Sequence, residues 1–159
     1  ILKTKLHRPR IMDDYIIRQR IIDELETNFT KPLSIISAGA GYGKSVTVCE
    51  WLDQSTYNSS WLSLDKEHND LRTLLIYLSA GIEKIYPDAM QETGVLLTAG
   101  VLPPFNVIFN SFINEICNIE QDFIMVLDDF QILTEKEIYR FFDQWLLFPP
   151  PNVHLSIIT

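Results

Sequence analysis

Three of the six glycines in this 159-residue chain, Gly39, Gly41 and Gly43, fall within five residues, and Lys44 and Ser45 follow at once. An apolar run, Leu33 to Ser37, precedes them, and a helical pattern, Ser45 to Asp53, comes after. Glycines let a backbone turn so that successive N–H groups point at one anion, and a helix starting there adds its positive dipole end. A lysine closing such a turn reaches the β- and γ-phosphates of a nucleotide, and the neighbouring hydroxyl joins a Mg²⁺ shell. Ala38, Gly39, Ala40, Gly41, Tyr42, Gly43, Lys44, Ser45 and Val46 thus have the composition and place of a P-loop, with Lys44 as its catalytic cation. The match departs in one position: Ala38 stands where the G-x-x-x-x-G-K-[ST] pattern begins with glycine.

A second chemical signal lies far downstream, where the apolar run Phe123 to Leu127 ends in Asp128 and Asp129. A buried strand that finishes in an acid can deliver a carboxylate to the metal beside a P-loop. Asp128 is expected to hold Mg²⁺ together with Ser45, and Asp129 to polarise the attacking water as general base. Two adjacent carboxylates repel, so Mg²⁺ should matter for both order and affinity.

These residues need elements to position them. Apolar runs at Leu33–Ser37, Trp61–Leu64, Phe123–Leu127 and Val153–Thr159 alternate with helical patterns, which predicts an α/β fold with a parallel sheet and helices on both faces. Helices are expected from Ile16 to Leu25, over Ser45–Asp53, after a cap at Asn69 or Asp70, over Phe105–Cys117, and from a Thr134/Glu137 capping box to about Leu147. Gly94 to Pro104 has the look of turn. Residues 1–30 form an N-terminal arm and helix, and 31–159 the nucleotide-binding core. No run nears the ~18 apolar residues of a membrane span. Cys49 and Cys117 are too few for a disulfide framework, which fits a cytoplasmic setting. A net charge of −8 opposes direct nucleic-acid binding. The basic residues among the first twenty make a local arm, either solvated or serving a small polyphosphate.

In one register, the chain carries Thr4-Lys-Leu6, Pro9, Arg18-x-Arg20, Ser37-Ala-Gly-Ala-Gly-Tyr-Gly-Lys-Ser45, Trp51-Leu52, Trp61-Leu-Ser-Leu-Asp65, Asn69-Asp70, Leu127-Asp-Asp129 and Pro150-Pro-Asn-Val-His-Leu155. Together they resemble the nucleotide-binding domain of large ATP-dependent LuxR-family transcriptional regulators of the maltose-activator (MalT-like) type, which are STAND-class P-loop ATPases. The resemblance implies an ASCE sheet of order 2-3-4-1, truncated after its fourth strand with an edge left for a fifth. It implies ATP or ADP with Mg²⁺ as cofactors. It places Ile17 and Arg18 where related domains hold the base, although packing of Ile17 and solvation of Arg18 would account for them equally. It also implies partner domains in the same full-length chain, namely sensor repeats and a DNA-binding helix-turn-helix, with nucleotide-dependent self-association. A sensor arginine and a lid would lie beyond Thr159, so the chain is expected to be an excised piece.

Three functions compete. The favoured one is an ATP-hydrolysing switch with slow turnover, in which nucleotide state controls activation of a signal-responsive regulator. The others are a nucleotide-binding interaction module without turnover and a stand-alone P-loop phosphotransferase.

Overall fold

A computed structural model describes all residues from Ile1 to Thr159. After a short 3₁₀ turn at Lys3–Leu6, the elements run α1 (Gln19–Thr27), β1 (Leu33–Ile36), α2 (Lys44–Gln54), β2 (Asn58–Ser63), α3 (Leu71–Glu83), α4 (Gln91–Thr98), α5 (Phe105–Cys117), β3 (Phe123–Asp128), α6 (Lys136–Leu147) and β4 (Val153–Ile158). The four strands form one parallel sheet of order β1-β4-β3-β2, the expected arrangement.

Side-chain alternation divides two cores. Phe123, Met125 and Leu127 of β3, with Val153, Leu155 and Ile157 of β4, face the larger core beneath α3, α4, α5 and α6. Ile124, Val126 and Ile158 face the smaller one with Val48, Trp51 and Leu52 of α2 and Ile22 and Leu25 of α1. Every residue of β3 and β4 is buried, which explains their near-continuous apolar sequence. His154 and Ser156 are the polar exceptions on β4; His154 shares a 2.7 Å hydrogen bond with the Lys31 carbonyl, and burial pushes its pKa down. Trp51 and Trp61 are core residues, and Cys49 is a buried thiol pushed up to about 12 by desolvation.

Two local expectations give way to tertiary ones. The segment expected as turn, from Gly94, overlaps the C-terminal part of α4, whose first N–H groups, from Glu92 and Thr93, donate to the buried Glu115 carboxylate at 2.7 and 2.9 Å. The Thr134/Glu137 capping box does not form. Asn69 accepts from the N–H groups of Thr134 and Glu135 at 2.8 and 3.1 Å, while its Nδ2 donates to the Thr134 hydroxyl. Asp70 alone caps α3, accepting from the Thr73 N–H at 2.8 Å. Asn69→Ala should therefore destabilise the protein by about 1–2 kcal/mol, the worth of a lost helix cap. Thermal melts should show this, with Asn69→Asp recovering part of the loss because it keeps the acceptor.

Candidate functional site

The turn after β1 bends through two left-handed glycines, Gly41 at φ 81° and Gly43 at φ 70°. Gly43 is the N-cap of α2, so the loop delivers its amides directly to a helix N-terminus. Ser45, in the first turn of α2, donates its hydroxyl to Asp128 Oδ1 at 2.9 Å. The hydroxyl comes from α2 after the first strand, whereas the carboxylate ends a strand lying two positions away in the sheet. The expected juxtaposition of loop and acid is therefore present.

Around that contact is a cavity of about 480 Å³, walled by the loop through Ala38, Ala40, Gly41 and Gly43, by Lys44, Ser45 and Val46 of α2, and by Asp128 and Asp129. Ile158, Thr159 and Gln131 complete it. The Lys44 ammonium donates to the carbonyls of Ala38 and Gly39 at 2.7 and 3.0 Å, holding a cation in the bend of the loop. Asp128 is buried, and desolvation pushes its carboxyl above the usual carboxylate range. The Asp129 charge adds to the rise, while the Ser45 hydrogen bond and the Lys44 charge oppose it.

Asp129 is exposed and held at φ 61°, with its N–H donating to Asp128 Oδ1 at 3.0 Å. Gln131 Nε2 donates to Asp129 Oδ1 at 3.0 Å. Gln131 was not signalled by any motif, and only the turn that follows β3 brings it to the cavity.

Other expected residues stand elsewhere. Tyr42 lies outside the cavity, with its ring 3.1 Å from where a Cβ on Gly39 would be. Ile17 and Arg18 precede α1, are exposed and do not line the cavity. Asp65, which follows the second strand at the end where a ligand crevice could lie, does not line the cavity: it pairs with Lys5 at 2.5 Å and accepts from the Glu67 N–H. None of the arm's cations lines the cavity; Lys5 pairs with Asp65 and Glu67, and Arg8 with Asp53. Lys44 is the one cation lining the cavity. In place of the other arm residues, Tyr15 reaches the loop, its hydroxyl sharing a 2.5 Å hydrogen bond with Thr47 Oγ1.

A larger cavity, about 900 Å³, lies between the arm, β2 and α3. Its cations already have partners: Arg8 holds Asp53 and Ser59, and Lys84 donates to the Leu6 carbonyl. Volume does not identify the site; convergence of donors, a cation and a buried acid does.

The same stretch of chain aligns with known regulators. It is 26% identical over 160 residues to the HTH-type transcriptional regulator MalT of Yersinia pestis (strain Pestoides F), covering 100% of this chain and 18% of that protein. Against the protein of the same name from Vibrio parahaemolyticus serotype O3:K6 it is 26% identical over 158 residues, covering 99% of this chain and 17% of the relative. The chain is similar to MalT regulators over its whole length. It spans about 18% of the length of the curated relatives it matches, so the similarity concerns one part of a regulator. No family model matches the chain. No helix is long and apolar enough to cross a membrane.

Proposed function

We propose that this chain is the ATP-binding switch domain of a large, cytoplasmic, signal-responsive transcriptional regulator, in which nucleotide state controls activation. The observation that carries the reading is the Ser45 hydroxyl 2.9 Å from the buried Asp128 carboxylate, at the end of a loop whose glycines and lysine suit phosphate. The similarity to MalT regulators supports the wider context, and the remaining domains of such a chain are its proposed partners. ATP or ADP is the proposed ligand, with the loop amides and Lys44 on its phosphates.

The donor set suits Mg²⁺. Ser45 and Asp128 offer two hard oxygen ligands, and the buried carboxylate needs a cation to offset its desolvation. Mg²⁺ would supply neutralisation of phosphate charge there. For the chain's own residues, Lys44 binds phosphate oxygens, Ser45 and Asp128 hold the metal, and Asp129 accepts the proton of the attacking water.

Asp128→Asn tests this reading. An asparagine keeps the acceptor used by Ser45 and by the Asp129 N–H, so the fold survives without the charge. A carboxyl whose folded pKa is raised favours folding below its unfolded value, and that benefit disappears as pH rises through the folded pKa. Above it, the ionised group works against folding. The ligand-free variant should therefore melt higher than wild type at pH 7, by a few degrees for about 1 kcal/mol. The gap should close as the pH falls towards 4. Calorimetry with ATP should show the Mg²⁺-dependent gain in affinity lost and the Mg²⁺-free affinity kept. Equal losses with and without the metal would remove Asp128 from the metal site.

A further inference from the structure

We infer that the free edge of β2 takes up an extended, acidic peptide segment of a partner protein as an added strand. β2 is the last strand of the sheet and pairs on one side only, with β3. The Leu64 N–H donates to the Asp128 carbonyl at 3.0 Å, which sets the parity of that pairing. In a parallel ladder alternate residues bond the same neighbour. The even-numbered residues of β2 therefore turn towards β3, while Ser59 and Trp61 turn their N–H and C=O groups outwards. None of those four backbone groups has a hydrogen-bond partner.

The cavity of about 900 Å³ opens onto this edge and is lined by β2 from Tyr57 to Trp61. Leu52 and Asp53 of α2 wall it from one face of the sheet, and Gly81, Lys84 and Ile85 of α3 from the other, so it straddles the edge. The α3 wall is set hard against the strand at Gly81, where a Cβ would stand 2.4 Å from Ser60 Oγ. The arm crosses the opening without pairing. Arg8 reaches Ser59 and Asp53 through its side chain and the Leu6 carbonyl receives Lys84, but no backbone hydrogen bond joins arm and strand. The devices that blunt an edge from within are missing: the register runs unbroken from Asn58 to Ser63, and those six residues include neither proline nor a charge.

A row of unpaired N–H and C=O groups fits a second extended backbone, which offers its own groups at the same spacing. The side chains of such a strand alternate between the two walls. On the α2 side, Arg8 and Asp53 already neutralise each other at 2.8 Å, so uncharged residues suit that wall. On the α3 side, the exposed Lys84 ammonium donates to the Leu6 carbonyl at 3.1 Å and forms no ion pair. Its charge is uncompensated, and an acidic side chain placed there gains a charge-assisted hydrogen bond. The chemistry of the occupant is thus an extended segment with acids on one face and uncharged residues on the other.

Fluorescence anisotropy on the full-length protein tests this with two labelled probes, the end-blocked peptide Val-Glu-Val-Glu-Val and its counterpart with lysine for glutamate. The glutamate probe should bind saturably, and the lysine probe about tenfold more weakly. Ser59→Pro removes an N–H that the β2–β3 ladder does not use, in a position where an edge strand accepts proline, and Arg8 keeps Asp53. It should weaken binding of the glutamate probe by about tenfold, with the melting temperature within a few degrees of wild type. Lys84→Glu, a change at an exposed side chain, should reverse the preference between the probes. Absence of saturable binding to the glutamate probe would overturn the inference. Wild-type affinity in Ser59→Pro, or an unreversed preference in Lys84→Glu, would overturn it equally; if Ser59→Pro fails to fold, Lys84→Glu decides alone. A wild type that sediments as a dimer while Ser59→Pro sediments as a monomer would give the edge to a second copy of this chain instead.

Discussion

Lys44→Ala should lower ATP affinity by about 100-fold while leaving the melting temperature within about a degree of wild type. Both halves follow from where the ammonium sits. Lys44 lines the cavity beside Asp128 and donates to the carbonyls of Ala38 and Gly39, inside the bend made by Gly41 and Gly43. Those carbonyls are at an exposed loop, so water replaces the lost donors at little cost to stability. The phosphates have no such substitute, because no other cation lines the cavity. A charge-assisted hydrogen bond is worth about 1.5–3 kcal/mol, and its loss together with the unpaired anionic charge gives the stated effect. Calorimetric titration beside a thermal melt checks both. Unchanged affinity would mean that phosphate is not held by this loop. A large drop in melting temperature would mean that the lysine props up the turn.

The legible part of this protein is the part determined by local pattern. Apolar runs bounded by turn residues mark all four strands, and the glycine-lysine cluster and the Asp128-Asp129 strand end are the two segments that line one cavity. The sheet order follows from resemblance, not from periodicity. What escaped was set by residues distant in sequence. Helix α4 contains Gly94 and ends near Gly100 and two prolines, so its composition suggests turn; its stability depends on Glu115, which caps it from another helix. The start of α6 depends likewise on Asn69. Tyr15 follows two aspartates in a stretch without periodicity, and nothing local distinguishes it from an exposed loop tyrosine. Its approach to Gly43 depends on arm contacts such as Arg8–Asp53, which join residues 45 positions apart. Polar tertiary contacts leave little trace in a single sequence because many residue types can make them.

Asp129→Asn should separate the switch that hydrolyses ATP from a module that only binds it. The substitution is nearly silent structurally. Asparagine accepts the left-handed conformation that the chain takes at this position, φ 61°, and its side-chain oxygen can still receive the Gln131 amide now 3.0 Å from Asp129 Oδ1. Metal binding is untouched in this reading, since Ser45 and Asp128 hold the cation. What is removed is the carboxylate's charge and, with it, the capacity to take up a proton. In the hydrolytic reading, the water oxygen bonds to the γ-phosphorus as the bond to the bridging oxygen breaks, and the water proton passes to Asp129. Loss of a positioned general base slows such a step by about 10²–10⁴-fold. Single-turnover hydrolysis in the full-length protein should therefore fall by that factor, with ATP affinity within about threefold of wild type. Gln131→Ala should give a smaller fall at the same affinity, because it releases the carboxylate's orientation without removing the base. Matching rates for Asp129→Asn and wild type would deny Asp129 its catalytic role. The site would then be one that senses nucleotide by occupancy alone, and the buried Asp128 would be its only chemically committed acid.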